Sequence, residues 1–160
     1  MSPITNEREK RLKILFLCTH NSCRSQMAER WTRHLHGSRF EAYSAGIDPT
    51  RVDSYAVTVM AEAGVDISSA CAKSISEIQD IGFDYVVTVC DEAQEQCPYF
   101  PARIRMIHAG FDDPPALAKE AEDEQAVLVI YRRIRDEIRS FVEGLPRTLE
   151  ARGSPGPQRL

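Results

Sequence analysis

The feature that most constrains this chain is an apolar run that ends in a short polar loop and leads directly into a helical pattern. Residues 13–18, Lys-Ile-Leu-Phe-Leu-Cys, are typical of a buried central strand. From Ser25 onward, apolar residues recur at three- and four-residue spacing, which predicts an amphipathic helix. A strand that feeds a helix in this way is the start of an α/β layered fold.

The same alternation continues along the chain. Further strands are predicted at residues 40–44, 83–90 and 104–107, and further helices from Asp53 to about Ala63 and over residues 122–142. We therefore expect an α/β fold with a mostly parallel sheet. One catalytic domain is expected over residues 12–145. We expect residues 1–11 to form a mobile N-terminal segment, and residues 146–160 a mobile tail with almost nothing to bury.

Composition narrows the classes of function. The 160 residues carry a net charge of −4 with no basic stripe, so nucleic acid is not an expected partner. No segment approaches the roughly 18 apolar residues of a membrane span, and the polar start does not resemble a signal peptide. We therefore predict a cytoplasmic protein without a membrane partner. Its five cysteines are then expected to be reactive, metal-binding or buried rather than bridged.

The loop after the first strand has the composition of an anion site. A loop that wraps from a strand end into a helix can direct several backbone N–H groups at one oxyanion. The same donors would favour the thiolate of Cys18, Arg24 would add a planar fork of donors, and Ser25 could donate to the Cys18 sulfur. A lone cysteine here is more often a small buried residue, but the Cys-(x)5-Arg-Ser spacing favours the site. The predicted substrate-binding residues are Thr19, His20, Asn21, Ser22, Cys23 and Arg24.

Two further elements fit the same site. The acidic loop Gly-Phe-Asp-Asp-Pro-Pro (110–115) could hold a carboxylic acid over a bound oxyanion, although such a sequence is more often a simple turn. Cys90 ends the strongest predicted strand and would approach Cys18 if the two strands are neighbours. Cys97 follows seven residues later, and could reach Cys90 if the intervening segment unwinds. Two unrelated thiols remain the alternative, and a zinc site is disfavoured because no close Cys-x2-Cys pair exists.

These motifs resemble the thioredoxin-coupled arsenate reductases. The resemblance rests on Cys-Thr-His-Asn-Ser-Cys-Arg-Ser-Gln-Met-Ala-Glu (18–29), Ser-Ala-Gly (44–46), Val-Thr-Val-Cys-(x)6-Cys-Pro (87–98) and Gly-Phe-Asp-Asp-Pro (110–114). It implies the low-molecular-weight phosphatase fold, a three-layer sandwich with a four-stranded parallel sheet flanked by helices.

The resemblance also implies a mechanism. Cys18 would attack arsenate held by the loop and Arg24, and Asp113, which directly precedes the proline, would protonate the departing oxygen. Cys90 would then attack the Cys18 sulfur and release arsenite, and Cys97 would attack Cys90 to leave a disulfide for thioredoxin. The implied catalytic residues are Cys18, Arg24, Ser25, Asp113, Cys90 and Cys97. No cofactor is expected.

The sequence departs from the family in ways that bear on a metal. Members that bind potassium use an Asn, a Glu, a Ser and an Asp, and Asn21, Glu29 and Ser44 match the first three. Lys73 occupies the place of the Asp, where its ammonium could replace the cation, so no metal is predicted. His20 replaces a loop glycine.

The other cysteines and two other functions complete the expectations. We interpret Cys23 as a small structural residue of the loop and Cys71 as a packing residue. A phosphotyrosine or aryl phosphatase would need only Cys18, Arg24 and Asp113, with no use for the later thiols. An oxyanion sensor switched by disulfide formation would bind without turnover.

Overall fold

The computed structural model describes residues 11–96 and 100–151 and contains a sheet of four strands. The strands are β1 Leu12–Cys18, β2 Phe40–Gly46, β3 Tyr85–Thr88 and β4 Arg105–His108. The helices of these described ranges are α1 Arg24–His36, α2 Ser54–Glu62, α3 Ile75–Ile78, α4 Asp91–Gln96, α5 Pro114–Ala118, α6 Glu124–Glu143 and α7 Leu145–Ala151.

All four strands are parallel, in the order β2-β1-β3-β4. The register pairs Cys18 with Gly46 on one side of β1 and Leu17 with Thr88 on the other. Because parallel strands end at the same edge of a sheet, the loops after β1 and β3 meet there. This topology brings the segments that begin at Cys18 and Cys90 together.

The sheet is covered on both faces, which confirms the predicted three-layer sandwich. Alternate residues of β1 enter different cores: Ile14 and Phe16 belong to the larger one, and Leu15 and Leu17 to the smaller. The larger core also contains buried residues of α1, α2, α6 and α7, whereas the smaller one contains Phe83 and Phe100. A strand buried on both faces explains why residues 14–17 are all apolar.

The main predicted elements are confirmed, including both ends of α2. The Asp53 carboxylate accepts a hydrogen bond from the backbone N–H of Tyr55 at 2.8 Å and so caps that helix. Gly64 follows the helix with a φ of 88°, a conformation that favours glycine.

The C-terminal part of the fold extends further than predicted. The expected tail from residue 146 was wrong for its first residues, because α7 runs to Ala151 and places Leu145 and Leu149 in the larger core. Pro146 is compatible with this helix because it lies in the first turn. The N–H that proline lacks would have no hydrogen-bond partner within the helix at that position. Residues 1–10 and 152–160, the rest of the two predicted terminal segments, lie outside the described residues.

Candidate active site

The loop between β1 and α1 is held from behind by neighbouring backbone. The carbonyl oxygens of Thr19, His20 and Ser22 accept hydrogen bonds from the N–H groups of residues 48, 50 and 53, at 2.7, 3.1 and 2.9 Å. In a trans peptide unit the N–H points in the opposite direction to the carbonyl. The N–H groups of these three peptide units therefore point away from residues 48, 50 and 53. Gly46 lies so close behind the loop that a Cβ there would come within 2.8 Å of the Thr19 carbonyl oxygen.

An internal brace fixes the conformation of this loop. Asn21 has a φ of 51°, in the left-handed region, and its amide donates to the Ser25 hydroxyl at 2.8 Å. The buried amide of Gln26 donates to both oxygens of Asn21, at 3.1 and 3.0 Å, and to the Cys71 carbonyl at 3.0 Å. Gln26 therefore ties the loop to the segment before α3.

Cys18 is a buried thiolate at the end of β1. A hydrogen bond from Cys90 lowers its pKa most, followed by the Arg24 charge and by hydrogen bonds from the backbone and hydroxyl of Ser25. These contributions outweigh burial, which alone would raise the pKa. The sulfur faces a cleft of about 240 Å³ that is also lined by His20, Ser22, Cys23, Arg24, Asp113, Pro115, Ala116 and Lys119. A nucleophile therefore stands at the base of a cleft with basic and acidic side chains in its walls.

Arg24 and Asp113 face each other across this cleft. The Arg24 guanidinium donates to the Phe111 carbonyl at 2.9 Å and lies 3.3 Å from a carboxylate oxygen of Asp113. Asp113 precedes α5, but its carboxylate makes no capping hydrogen bond to that helix. The neighbouring Asp112 instead pairs with Arg133, 3.3 Å away. Of the two acids in the loop, Asp113 is the one that lines the cleft.

Cys90 is the protonated partner of Cys18. Its hydrogen bond to Cys18, burial and the charge on Cys18 all raise the Cys90 pKa above its usual value. The Cys90 sulfur also accepts a hydrogen bond from the backbone N–H of Ala93 and lies 3.3 Å from the Thr19 hydroxyl. That hydroxyl donates to the Glu92 carboxylate at 3.0 Å. The two cysteines therefore shift each other's pKa in opposite directions, which favours Cys18 as the thiolate and Cys90 as the thiol.

The residues expected at a cation site already satisfy one another. The buried carboxylate of Glu29 accepts from the Ser44 hydroxyl at 2.5 Å and from the Arg33 guanidinium at 2.6 Å. The Asn21 side-chain oxygen accepts two hydrogen bonds, from Gln26 and from the backbone of Lys73. The Lys73 ammonium bonds the Cys71 carbonyl, so Arg33 rather than Lys73 supplies the positive charge. The side-chain oxygens of Asn21 and Glu29 already accept hydrogen bonds from protein donors, so their arrangement does not fit a potassium ion.

The remaining predicted residues have varied surroundings. Burial raises the pKa of Cys23 and keeps it a neutral thiol, in keeping with a structural residue. Cys71 is exposed, so its interpretation as a packing residue was wrong. The His20 ring bonds the Asp48 carbonyl at 2.9 Å, and Cys97 lies outside the described residues.

Sequence reasoning missed Glu92 and Arg33. Glu92 follows Cys90 by two residues in a segment without apolar periodicity, and nothing local relates it to Thr19, 73 residues away in the chain. Arg33 follows Glu29 at i+4, the spacing at which oppositely charged side chains meet on a helix. This spacing is the sequence signal by which the Glu29–Arg33 pair could have been predicted.

Comparison with known proteins identifies the family. The family model of the low molecular weight phosphotyrosine protein phosphatases, which describes their sequence pattern, matches residues 13–154 of this chain. The chain is also 43% identical over 125 residues to an arsenate reductase of Halalkalibacterium halodurans, across 78% of this chain and 88% of that protein. The chain belongs to the arsenate reductases of the low molecular weight phosphatase family.

Solved structures of family members share this fold. An arsenate reductase in its oxidized state superposes with a TM-score of 0.71 at 26% identity, covering 86% of this chain and 98% of that one. A thioredoxin-dependent arsenate reductase of Corynebacterium glutamicum gives a TM-score of 0.64 at 27% identity, covering 88% of this chain and 63% of that one. Within residues 11–96 and 100–151, no helix is long and apolar enough to cross a membrane.

Proposed function

We propose that this chain reduces arsenate to arsenite through Cys18, Cys90 and Cys97, and that thioredoxin restores the thiols. The observation that carries the proposal is the placement of Cys90 beside Cys18 at one edge of the sheet, where each thiol shifts the pKa of the other. A phosphatase needs only the first of these groups, whereas a disulfide cascade needs a second thiol in contact with it. Relatives at about 40% identity that are named arsenate reductases support the same substrate.

In the first step, Cys18 attacks arsenate in the cleft. The sulfur forms a bond to arsenic, and Asp113 gives a proton to the departing oxygen, which leaves as water. Arg24 and the loop N–H groups hold the remaining oxygens, and Ser25 stabilises the thiolate before attack. Thr19, His20, Asn21, Ser22 and Cys23 are assigned to this binding loop.

In the second step, Cys90 attacks the Cys18 sulfur. A Cys18–Cys90 disulfide forms, and the sulfur–arsenic bond breaks with its electron pair left on arsenic, which reduces arsenate to arsenite. The interaction between the two thiols sets the order of events. Before substrate reacts, the negative charge of the Cys18 thiolate keeps Cys90 protonated, and the bond to arsenic removes that negative charge. Cys90 therefore becomes the better nucleophile only after substrate has reacted.

In the third step, Cys97 attacks Cys90 and frees Cys18. Helix α4 lies between the two cysteines, and seven residues of helix rise about 10 Å. A disulfide needs Cα atoms within about 7 Å, so α4 has to unwind for this step. The resulting Cys90–Cys97 disulfide is the one that thioredoxin would reduce. We infer a cytoplasmic site of action, because the cascade depends on a supply of reduced thiols.

The test follows NADPH oxidation with arsenate, thioredoxin and thioredoxin reductase. We expect sustained turnover by the wild type and its loss in both Cys90→Ser and Cys97→Ser. Cys71→Ser is the matched control, because that thiol is exposed and makes no contact with Cys18, and it should retain full turnover. Absence of arsenate turnover in the wild type would refute the proposal.

Aryl phosphate hydrolysis is a second candidate activity. The cleft brings a thiolate, Arg24 and Asp113 together, which is sufficient for a phosphocysteine intermediate. Hydrolysis that survives both Cys90→Ser and Cys97→Ser, without any arsenate reduction, would establish a phosphatase instead.

A further inference from the structure

The Thr19 hydroxyl joins Cys90 to a carboxylate at the protein surface. Thr19 is buried, and its oxygen lies 3.3 Å from the Cys90 sulfur and 3.0 Å from a carboxylate oxygen of Glu92. Glu92 itself is exposed, on the first turn of α4. The three groups form a continuous hydrogen-bonded path from the second thiol to solvent.

The second step of the proposed reaction needs such a path. Cys90 begins as a thiol, and it must lose a proton as its sulfur bonds to Cys18. While Cys18 is a thiolate, its negative charge favours the protonated form of Cys90. Once the Cys18 sulfur carries arsenic, it is a poor acceptor, and Thr19 is the neighbouring hydroxyl within reach of Cys90.

We propose that Thr19 and Glu92 relay the Cys90 proton to solvent during formation of the Cys18–Cys90 disulfide, an inference that rests on the proposed function. The Cys90 proton passes to the Thr19 oxygen, the Thr19 hydroxyl proton passes to Glu92, and Glu92 then releases a proton to water. The electron pair left on Cys90 forms the bond to Cys18. No oxidant is needed beyond the group already attached to Cys18.

The direction of the hydrogen bonds suits this transfer. Thr19 donates its hydroxyl proton to Glu92 at 3.0 Å, which leaves the lone pairs of the Thr19 oxygen free to accept from Cys90. The backbone N–H of Ala93 donates to the Cys90 sulfur at 3.3 Å and stabilises the negative charge that develops there. Proton acceptor and charge stabiliser therefore come from the same turn of α4.

The decisive substitution is Glu92→Gln. Glutamine keeps an oxygen that accepts from Thr19, so it preserves the hydrogen bond while removing the base. The matched control is Glu95→Gln, an exposed glutamate of the same helix. Both changes are made in a Cys71→Ser/Cys97→Ser background, so that Cys71 and Cys97 cannot react.

The readout does not require arsenate. An aromatic disulfide such as 5,5′-dithiobis(2-nitrobenzoate) first reacts with Cys18 and releases one coloured thiolate. Cys90 then attacks Cys18, forms the protein disulfide and releases the second. The two phases separate the reactivity of Cys18 from the deprotonation of Cys90, and single-turnover arsenite formation is measured in parallel.

We expect Glu92→Gln to slow the second phase at least about tenfold at pH 7, with the first phase unchanged. Its second phase should gain about tenfold per pH unit, because hydroxide then has to remove the proton, whereas Glu95→Gln should match the parent in rate and pH profile. Thr19→Val should also slow the second phase. Equal rates and pH profiles for the two glutamine variants would overturn the relay.

The two proposals fail separately. A relay effect with the aromatic disulfide, together with no arsenite from arsenate, would refute arsenate reduction and leave the relay standing. Arsenite formation that is indifferent to Glu92→Gln would refute the relay and leave the reductase standing.

Discussion

The pair between Glu29 and Arg33 predicts a measurable dependence of stability on a single guanidinium. The Glu29 side chain is 3% exposed and the Arg33 side chain 49% exposed, with 2.6 Å between their charged atoms. Substituting Arg33 by glutamine leaves a buried carboxylate to which, within the described part of the chain, the Ser44 hydroxyl still donates. It also removes the Arg33 hydrogen bonds to the Ala42 carbonyl.

The expected magnitude lies between two limits. Removing one partner of a fully buried pair costs about 3–5 kcal/mol, whereas exposed pairs contribute about 1 kcal/mol or less. Because half of Arg33 is in solvent and screened by it, we expect Arg33→Gln to lower the free energy of unfolding by about 2 kcal/mol. The control is Arg133→Gln, which breaks a pair at the same helical spacing whose side chains are 46% and 45% exposed. It also breaks the exposed pair with Asp112, and even so it should cost well under half as much.

Urea denaturation and a double-mutant cycle with Glu29→Gln test this reasoning. In the Glu29→Gln background, Arg33→Gln should cost less, because no buried charge remains to be neutralised and the loss is that of the hydrogen bonds to the Ala42 carbonyl. Potassium chloride should stabilise the Arg33→Gln protein relative to choline chloride, whereas the wild type should not distinguish the two salts. A cost that is equal in both backgrounds, or a wild type that potassium stabilises specifically, would refute the reasoning.

Three further predictions concern the cleft and its support. Because the pKa of Cys18 is lowered, the rate of its alkylation by iodoacetamide should already be maximal at pH values well below the usual thiol pKa and should fall only at lower pH. Cys90→Ala should move the midpoint of this pH profile upward, and an unmoved midpoint would contradict the assigned cause. Asp113→Asn should reduce kcat for arsenate about 100-fold or more, while Asp112→Asn should stay within about twofold, so equal losses would mean that the acid is misassigned. Tyr131 donates to the carboxylate that caps α2 at 2.6 Å, so Tyr131→Phe should lower the free energy of unfolding by about 1.5–3 kcal/mol in urea; a loss below about 0.5 kcal/mol would contradict it.

The parts of the fold that follow from periodicity were predictable from the sequence. β1 has an unbroken apolar run because both its faces are buried, and α6 shows the spacing of a helix with one buried side. Helix α4 has no such pattern. Besides the buried Ala93, it is held by individual polar contacts, such as Thr19 with Glu92 and the His108 ring with Asp91, whose partners lie 73 and 17 residues apart. Contacts between residues so far apart leave no local signal in the sequence.

The candidate site divides in the same way. The spacing of Cys18 and Arg24 indicated a loop that binds an anion, and the place of Cys90 after β3 indicated a neighbour for Cys18. The proton state of the two thiols, and the partner that neutralises Glu29, depend on distances between side chains from different elements. The sequence predicted that the Lys73 ammonium would take the place of a cation beside Glu29, but the Lys73 side chain donates to the Cys71 carbonyl instead.

The junction of β1 and β3 has a consequence for the stability of the protein during a reaction cycle. A disulfide between Cys18, the last residue of β1, and Cys90, which follows β3, would close a loop of about 70 residues and lower the entropy of the unfolded chain by an amount worth about 4 kcal/mol. Under the proposed cascade, transfer of the bond to Cys97 would shorten the closed loop to about eight residues and remove about 2 kcal/mol of that stabilisation. The half-completed intermediate would then be the form of this chain most resistant to heat, and each turnover would end by giving that resistance up.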